Sequence, residues 1–493
     1  MPAGTILAID QGTTNTKALL VDLDGTIVAR ASRAMTLSHP QPGWAEQSAA
    51  DIWTSVQQVI ADIVAQRPGE TPAALAISNQ RETIVLWDAE TGEAVGPAIS
   101  WQCRRSSERC AALRVAGRGP MVFERTGLAL DPLFPAAKLA WLLDRDRSFR
   151  ARAEAGMLRA GTIDSWLLWN LTAGAEHATD HSNASRTQLF DLRSLAWDPE
   201  LAALFDVPLA LLPAVRPSNS LFGRVAGGCS ALSPSIPIHA MMGDSHAALF
   251  GHRVTRPGAA KVTIGTGSSI MALTEHFVTS ANGLSSTIAW STGGGGIRFA
   301  LEGNITVSGQ AAAFATQLLG VADEDALSSL AQTVEHAGGV VFVPALAGLG
   351  APYWQDRARG QITGMTLATT PAHLARAVFD AIALQIADVC QAMEADIGGA
   401  LTGVSVDGGA TRNDFLLQLL ADLLDRTVTR QAHAEVSALG AARMAAEALG
   451  FASGASEADQ GTTFRPTIDA ARCRDIHDAW HAAVRLAIHA GQA

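Results

Sequence analysis

The sequence predicts an α/β protein made of two related domains. Short apolar strands alternate with amphipathic helices along the chain, the alternation that builds α/β folds. A unit of strand, Gly and Thr turn, and second strand occurs twice, once near the N-terminus and once near the middle. The length of 493 residues exceeds what one hydrophobic core serves.

Residues 5–9, 17–22 and 26–34 read as strands. Asp10-Gln11-Gly12-Thr13-Thr14-Asn15 joins the first two, and Asp24-Gly25 is a hairpin signal between the second and third. Residues 50–65 place Ile52, Val56, Val59, Ile60 and Ile63 on one helical face, and residues 75–78 form a short apolar run of the kind found in buried strands. Near the middle, residues 261–264 lead into Gly265-Thr266-Gly267-Ser268-Ser269, and residues 270–273 follow as the partner strand. The domain boundary is expected near residues 251–258, giving domains 1–250 and 251–493. In the second half Thr370 is a candidate N-cap with Pro371 at the first helical position. Leu374, Val378, Ala381, Ile382, Ile386 and Val389 keep helical spacing up to Gly398-Gly399. A strand at 404–406 then enters the turn Asp407-Gly408-Gly409, and a helix carrying Phe415, Leu416, Leu419, Leu420 and Leu423 follows. The glycines at 293–296 read as a hairpin tip or loop.

Composition narrows the function. Hydrophobic residues make up 48% and charged residues 17%, which excludes a disordered chain. The 36 basic against 47 acidic residues leave a net charge of −11, which argues against nucleic acid as a partner. Five cysteines without CxxC spacing argue against a disulfide framework and a thiolate zinc site, as expected in a reducing cytosol. No basic, apolar and cleavage-site series opens the chain, and no run approaches the ~18 apolar residues of a membrane span, so a cytoplasmic protein is expected. GxxxxGK[ST], GxGxxG and HExxH are all absent.

Small hydroxyl residues between glycines let backbone amides approach phosphate oxygens closely. Gly12-Thr13-Thr14 and Gly265-Thr266-Gly267 are two such turns, one per half, suited to gripping a polyphosphate from both sides; each alone also suits an ordinary hairpin. Asp10 ends an apolar strand beside the first turn, where a carboxylate suits Mg²⁺ directly or through water. Asp244, in a Gly243-Asp244-Ser245 turn, suits accepting a proton from a substrate hydroxyl; both aspartates also suit turn capping. Asn79-Gln80-Arg81-Glu82-Thr83 is either a solvated turn or, through the donors of Arg81 and acceptors of Glu82, a reader of a vicinal diol. Trp101 fits either an aromatic wall for a carbon chain or a core position. His246 and His252 have no ligand-spaced partner and receive no role.

Taken in order, Asp10-Gln11-Gly12-Thr13-Thr14, Asn79-Gln80-Arg81-Glu82-Thr83, Trp101-Gln102-Cys103-Arg104, Gly161-Thr162-Ile163-Asp164-Ser165-Trp166, residues 179–187 (TDHSNASRT), Gly243-Asp244, Gly265-Thr266-Gly267, residues 360–380 and Asp407-Gly408-Gly409-Ala410 resemble the FGGY carbohydrate kinases, most closely the glycerol kinases. The resemblance covers roughly residues 5–450. It implies two ribonuclease H-like domains, as in actin and hexokinase, with an interdomain cleft that closes on ATP, Mg²⁺ and a small polyol or sugar. By the same resemblance Asp244 is the base and Asp10 lies by the metal and phosphates. Thr13, Thr14, Asn15, Lys17, Gly265, Thr266, Gly267, Gly309, Gly408, Gly409 and Asn413 belong around the nucleotide, and Arg81, Glu82 and Trp101 touch the acceptor. Lys17 stands where glycerol kinases carry arginine. Leu133, Ser245 and Ser269 replace a tyrosine, a glutamine and a phenylalanine of their acceptor pocket. A roomier pocket is expected, for an acceptor larger than glycerol. True glycerol kinase, ketopentose kinase of the xylulose or ribulose type, and a catalytically silent sensor are the alternatives. Membrane and nucleic acid are not expected as partners, and homo-oligomerisation stays open.

Overall fold

A strand made wholly of apolar residues must be covered on both faces. The computed structural model describes residues 4–451 and 461–491, and there Ile6, Leu7, Ala8 and Ile9 are all buried. Their strand, β1 (Thr5–Gln11), pairs antiparallel with β2 (Asn15–Asp22), and β2 pairs antiparallel with β3 (Ile27–Ala34). On its other side β1 runs parallel to β4 (Ala74–Asn79). Beyond β4 come β5 (Leu221–Arg224) at the edge and β6 (Pro237–Gly243), parallel to β4, giving the order β5-β6-β4-β1-β2-β3. The helix Ala49–Gln66 is capped by Ser48, whose side chain accepts from the Asp51 amide. Its Ile52, Val56, Val59, Ile60 and Ile63 are buried in one cluster with Leu7, Ile9 and Leu20 of the sheet. Each such side chain contributes about 1.5–3 kcal/mol relative to exposure.

Because β1, β4 and β6 share a direction, their carboxyl ends open at one edge of the sheet, where ligands of α/β proteins bind. The register sets Asp10 beside Ser78 and Ser78 beside Met242; one step further, Gln11 is beside Asn79 and Asn79 beside Gly243. The helix Asp244–Gly251 starts directly after β6. The residues 243–245 are therefore a strand-to-helix junction and not the free turn that Gly-Asp-Ser suggests.

That helix crosses the helix Val436–Ala448 at van der Waals distance. A Cβ on Gly440 would lie 1.8 Å from the Ala247 carbonyl oxygen, so only glycine fits there. Gly440→Ala is expected to cost about 1–3 kcal/mol by overpacking, because the Asp244–Gly251 helix must move away from the added methyl. Thermal unfolding against wild type checks this; an unchanged midpoint would show that the two helices have room to relax.

The described residues form two units. The first runs to Arg253 and also takes in Ser286–Phe299 and the Val436–Ala448 helix; the second comprises Val254–Ser285, Ala300–Ala434 and the C-terminal helix Ala470–Ala490. Two segments beyond residue 253 thus pack with the first unit. The reason for the second of them is visible in its packing: the alanine-rich Val436–Ala448 helix lies over β1, β4 and β6.

The second large sheet repeats the first. Its strands are β7 (Ala259–Ile264), β8 (Ser268–Thr274), β9 (Ser285–Thr292), β10 (Gly296–Ile305), β11 (Gly403–Asp407), β12 (Val428–Arg430) and β13 (Thr462–Phe464), in the order β9-β10-β8-β7-β11-β12-β13. Within it, β10-β8-β7-β11-β12 corresponds to β3-β2-β1-β4-β6, with β7 antiparallel to β8 and parallel to β11. Thr370 caps the helix Pro371–Ile397, and Gly398 ends it at φ 74°. Val378, Ala381, Ile382, Ile386 and Val389 are buried, while Leu374 is only half-buried. The Ala470–Ala490 helix, which sequence reasoning did not anticipate, buries Trp480 completely and donates its indole N–H to Asp388 at 2.7 Å. Among the described residues no helix is long and apolar enough to cross a membrane.

Candidate active site

In the first unit, the strand ends gather the acidic groups. Ser78 donates to one oxygen of Asp10 at 2.8 Å. The other oxygen accepts from no protein group among the described residues, and Lys17 sits opposite in the β1–β2 ladder. Burial lifts the Asp10 carboxyl above its ordinary range, opposed by the Ser78 hydrogen bond and the Lys17 charge. A recessed carboxylate with one oxygen unclaimed, beside hydroxyls, fits a hard cation such as Mg²⁺ held through water.

Asp244 begins its helix, with 37% of its side chain open and Arg81 Nε 3.3 Å from Oδ1. Desolvation raises its carboxyl to about 6 against the pull of Arg81, and the nearby Asp10 and Glu82 carboxylates add to the rise. A carboxylate that ionises just below neutrality suits taking a proton from an alcohol at physiological pH.

The turn Gly12 to Asn15 closes through a Gly12 N–H bond to the Asn15 carbonyl at 2.9 Å. The Thr13 and Thr14 amides donate to no protein group among the described residues, which leaves them for an anion. Gln80 anchors this turn: its carbonyl accepts from the Thr13 and Thr83 hydroxyls, and its amide donates to Gln11 and Gln47. Trp101 is 36% exposed and donates its indole N–H to the Thr13 hydroxyl at 2.9 Å, so it lines the site and is no core residue.

The segment 79–83 is buried apart from Arg81 and is no solvated turn. Glu82 is itself held by an ion pair. One of its oxygens accepts from Arg186 Nε at 2.7 Å, and Glu82 holds a left-handed φ of 59°. Leu133 is half-buried, and its amide donates to Asp131. Ser245 donates its backbone N–H to Asp244 Oδ1 at 2.7 Å. His246 is buried and bonded to Thr287 at 2.9 Å.

Sequence reasoning missed the residues that hold this constellation. Ser182 donates to Asp180 and accepts from the Gly243 amide at 3.0 Å, directly before Asp244. Asn183 and Asn79 exchange amide hydrogen bonds, and Asn183 also donates to Asp180. These residues lie in the TDHSNASRT stretch, dense in polar groups and entirely buried from Ser182 to Thr187. That density was the available signal.

In the second unit, the turn at 265–267 is closed by the Gly265 N–H on the Gly267 carbonyl at 2.9 Å. The Thr266 and Gly267 amides donate to no protein group among the described residues, and Thr266 stands exposed as Thr14 does. Gly309 donates to the Gly265 carbonyl. Gly408 has φ 100°, and a Cβ there would lie 2.4 Å from the Ile264 carbonyl oxygen. Both glycines therefore press against the second hairpin. Gly409 is exposed with open space around it, and the Asn413 side-chain oxygen caps the helix Asp414–Leu424. Ser269, on β8, donates to Glu302 at 3.4 Å.

Two sheets that share a five-strand order, each with a tight hairpin between its first antiparallel pair, are the architecture of the actin and hexokinase ATPases, and carboxylates at the strand ends suit phosphate chemistry there. Residues 5–251 match the N-terminal domain and residues 260–449 the C-terminal domain of the FGGY family of carbohydrate kinases. The chain belongs to that family and is an ATP-dependent carbohydrate kinase. It is 48% identical to an apulose kinase of Pectobacterium atrosepticum over 447 residues, 90% of each chain. It is 44% identical to a glycerol kinase of Symbiobacterium thermophilum over 496 residues, 99% of each chain. The crystal structure of Plasmodium falciparum glycerol kinase with ADP superposes with a TM-score of 0.94 at 29% identity, over 98% of each chain.

Proposed function

We propose that this kinase transfers the γ-phosphoryl group of ATP to a primary hydroxyl of a four- or five-carbon polyol or ketose. The observation that carries the reading is the convergence of Asp244, Arg81 and Glu82 at one strand edge. Asp244 takes the hydroxyl proton as the oxygen attacks the γ-phosphorus. Arg81 neutralises and orients that carboxylate, and Trp101 covers the carbon chain. In the first unit the Thr13, Thr14 and Asn15 turn, with Lys17, binds phosphate. In the second unit Gly265, Thr266 and Gly267 do the same, and Gly309, Gly408, Gly409 and Asn413 border the nucleotide. Asp10 would hold Mg²⁺ through water, and the ion would offset charge on the phosphates.

Acceptor size follows from Leu133 and Ser245, short side chains where a tyrosine and a glutamine would fill space. Each lost contact costs the smaller acceptor about 1–3 kcal/mol. The apulose kinase relative supports a ketose acceptor. Glycerol is the second reading, favoured by the full-length match to a glycerol kinase. A kcat/KM panel of glycerol, erythritol, xylitol, xylulose, ribulose and apulose decides between them. The larger acceptors are expected to lead glycerol by about tenfold or more; a wide lead for glycerol would reverse the assignment. Use of ATP and the free state of the described cysteines support a cytoplasmic setting.

A further inference from the structure

A lysine with no contact to the proposed reacting groups joins the two segments that frame the acceptor. Lys138, on the helix Pro135–Asp144, is fully buried. Its ammonium donates to the Glu82 carbonyl at 3.2 Å and to the Leu133 carbonyl at 2.5 Å. One carbonyl belongs to the Arg81-Glu82 edge and the other to the residue whose side chain sets acceptor room. Glu82 has the left-handed backbone that non-glycine residues adopt only when held. Leu133 is fixed from its other side by Asp131, which in turn pairs with Arg104 at 2.9 Å. Burying an ammonium is unfavourable unless hydrogen bonds compensate it, so its retention at this junction calls for a structural reason.

We propose that Lys138 is a positioning residue for the acceptor: by tying the Glu82 and Leu133 carbonyls together it sets the width of the acceptor subsite. This rests on the acceptor site proposed above. The charged groups acting on the ammonium are the Glu82 and Asp131 carboxylates and the Arg105 guanidinium, with the Cys103 thiol also facing it, and burial brings Lys138 down to about 7. The tether is therefore fully cationic below neutrality and loses its charge as pH rises through that value.

The test is Lys138→Met, similar in length and lacking donors, in the full chain. Acceptor KM is expected to rise at least about tenfold, the scale of one lost charge-assisted hydrogen bond. KM for ATP should change less than about twofold, and the preference for larger acceptors over glycerol should narrow or invert. Lys138→Gln, which keeps an uncharged N–H₂ donor group, should fall between wild type and the methionine variant and carries the same comparison should the methionine variant not fold. Wild-type acceptor KM should also climb above pH 7 while KM for ATP stays level. An unchanged acceptor KM, or equal shifts in both KM values, overturns the proposal. Failure of the acceptor reading is seen separately, as wild-type ADP release that no polyol or ketose stimulates.

Discussion

Asp244→Asn lowers kcat by about 10²- to 10⁴-fold, the range that a positioned general base contributes. The amide keeps the size of the carboxylate and can still accept at the Ser245 amide, so the helix start is preserved while the proton acceptor is gone. Arg81 loses its counter-charge at 3.3 Å, which raises acceptor KM modestly. ATP binding, assigned to the hairpins and not to this side chain, should be nearly unchanged by calorimetry. Near-normal kcat would remove Asp244 from the chemistry.

Arg186→Met produces the largest stability loss of the variants considered. Arg186 and Glu82 form an ion pair with side chains only 2% and 6% exposed, and the guanidinium also stacks over Phe134 at 5.2 Å. Methionine leaves the Glu82 carboxylate buried without that cation, a situation that costs about 3–5 kcal/mol. Because Glu82 borders Arg81, the acceptor KM should rise along with the loss. The double variant with Glu82→Gln should recover part of the stability, since no isolated charge remains. The denaturant midpoints of Arg186→Met, Glu82→Gln and the double variant against wild type measure this; a loss below about 1 kcal/mol for Arg186→Met would show that the pair is compensated from elsewhere.

The strands and helices were legible where pattern and burial coincide. The apolar run at residues 6–9, the face of Ile52, Val56 and Ile60, and the Thr370-Pro371 helix start all appear in the structure. The repeat of strand, glycine turn and strand was legible as well, because both copies need the same small residues. The junction at Gly243-Asp244 was misread because glycine, aspartate and serine favour turns. Asp244 instead enters a helix, where a negative charge in the first turn is favoured. Less of the site was visible. Arg186 is 104 residues from Glu82, and Lys138 is 56 from it, so no local spacing announces either pairing. The Val436–Ala448 helix is rich in alanine, a surface that packs on many partners and names none, so its place on the first sheet was not readable.

The most direct test is the pH dependence of kcat/KM for the acceptor in wild type and Asp244→Asn. Asp244 is the base only when ionised, so wild-type kcat/KM should fall about tenfold per unit as pH drops below about 6. Asp244→Asn should be slow and flat across that range. A variant that keeps both the acid limb and the wild-type rate would place the base elsewhere and contradict the proposed chemistry.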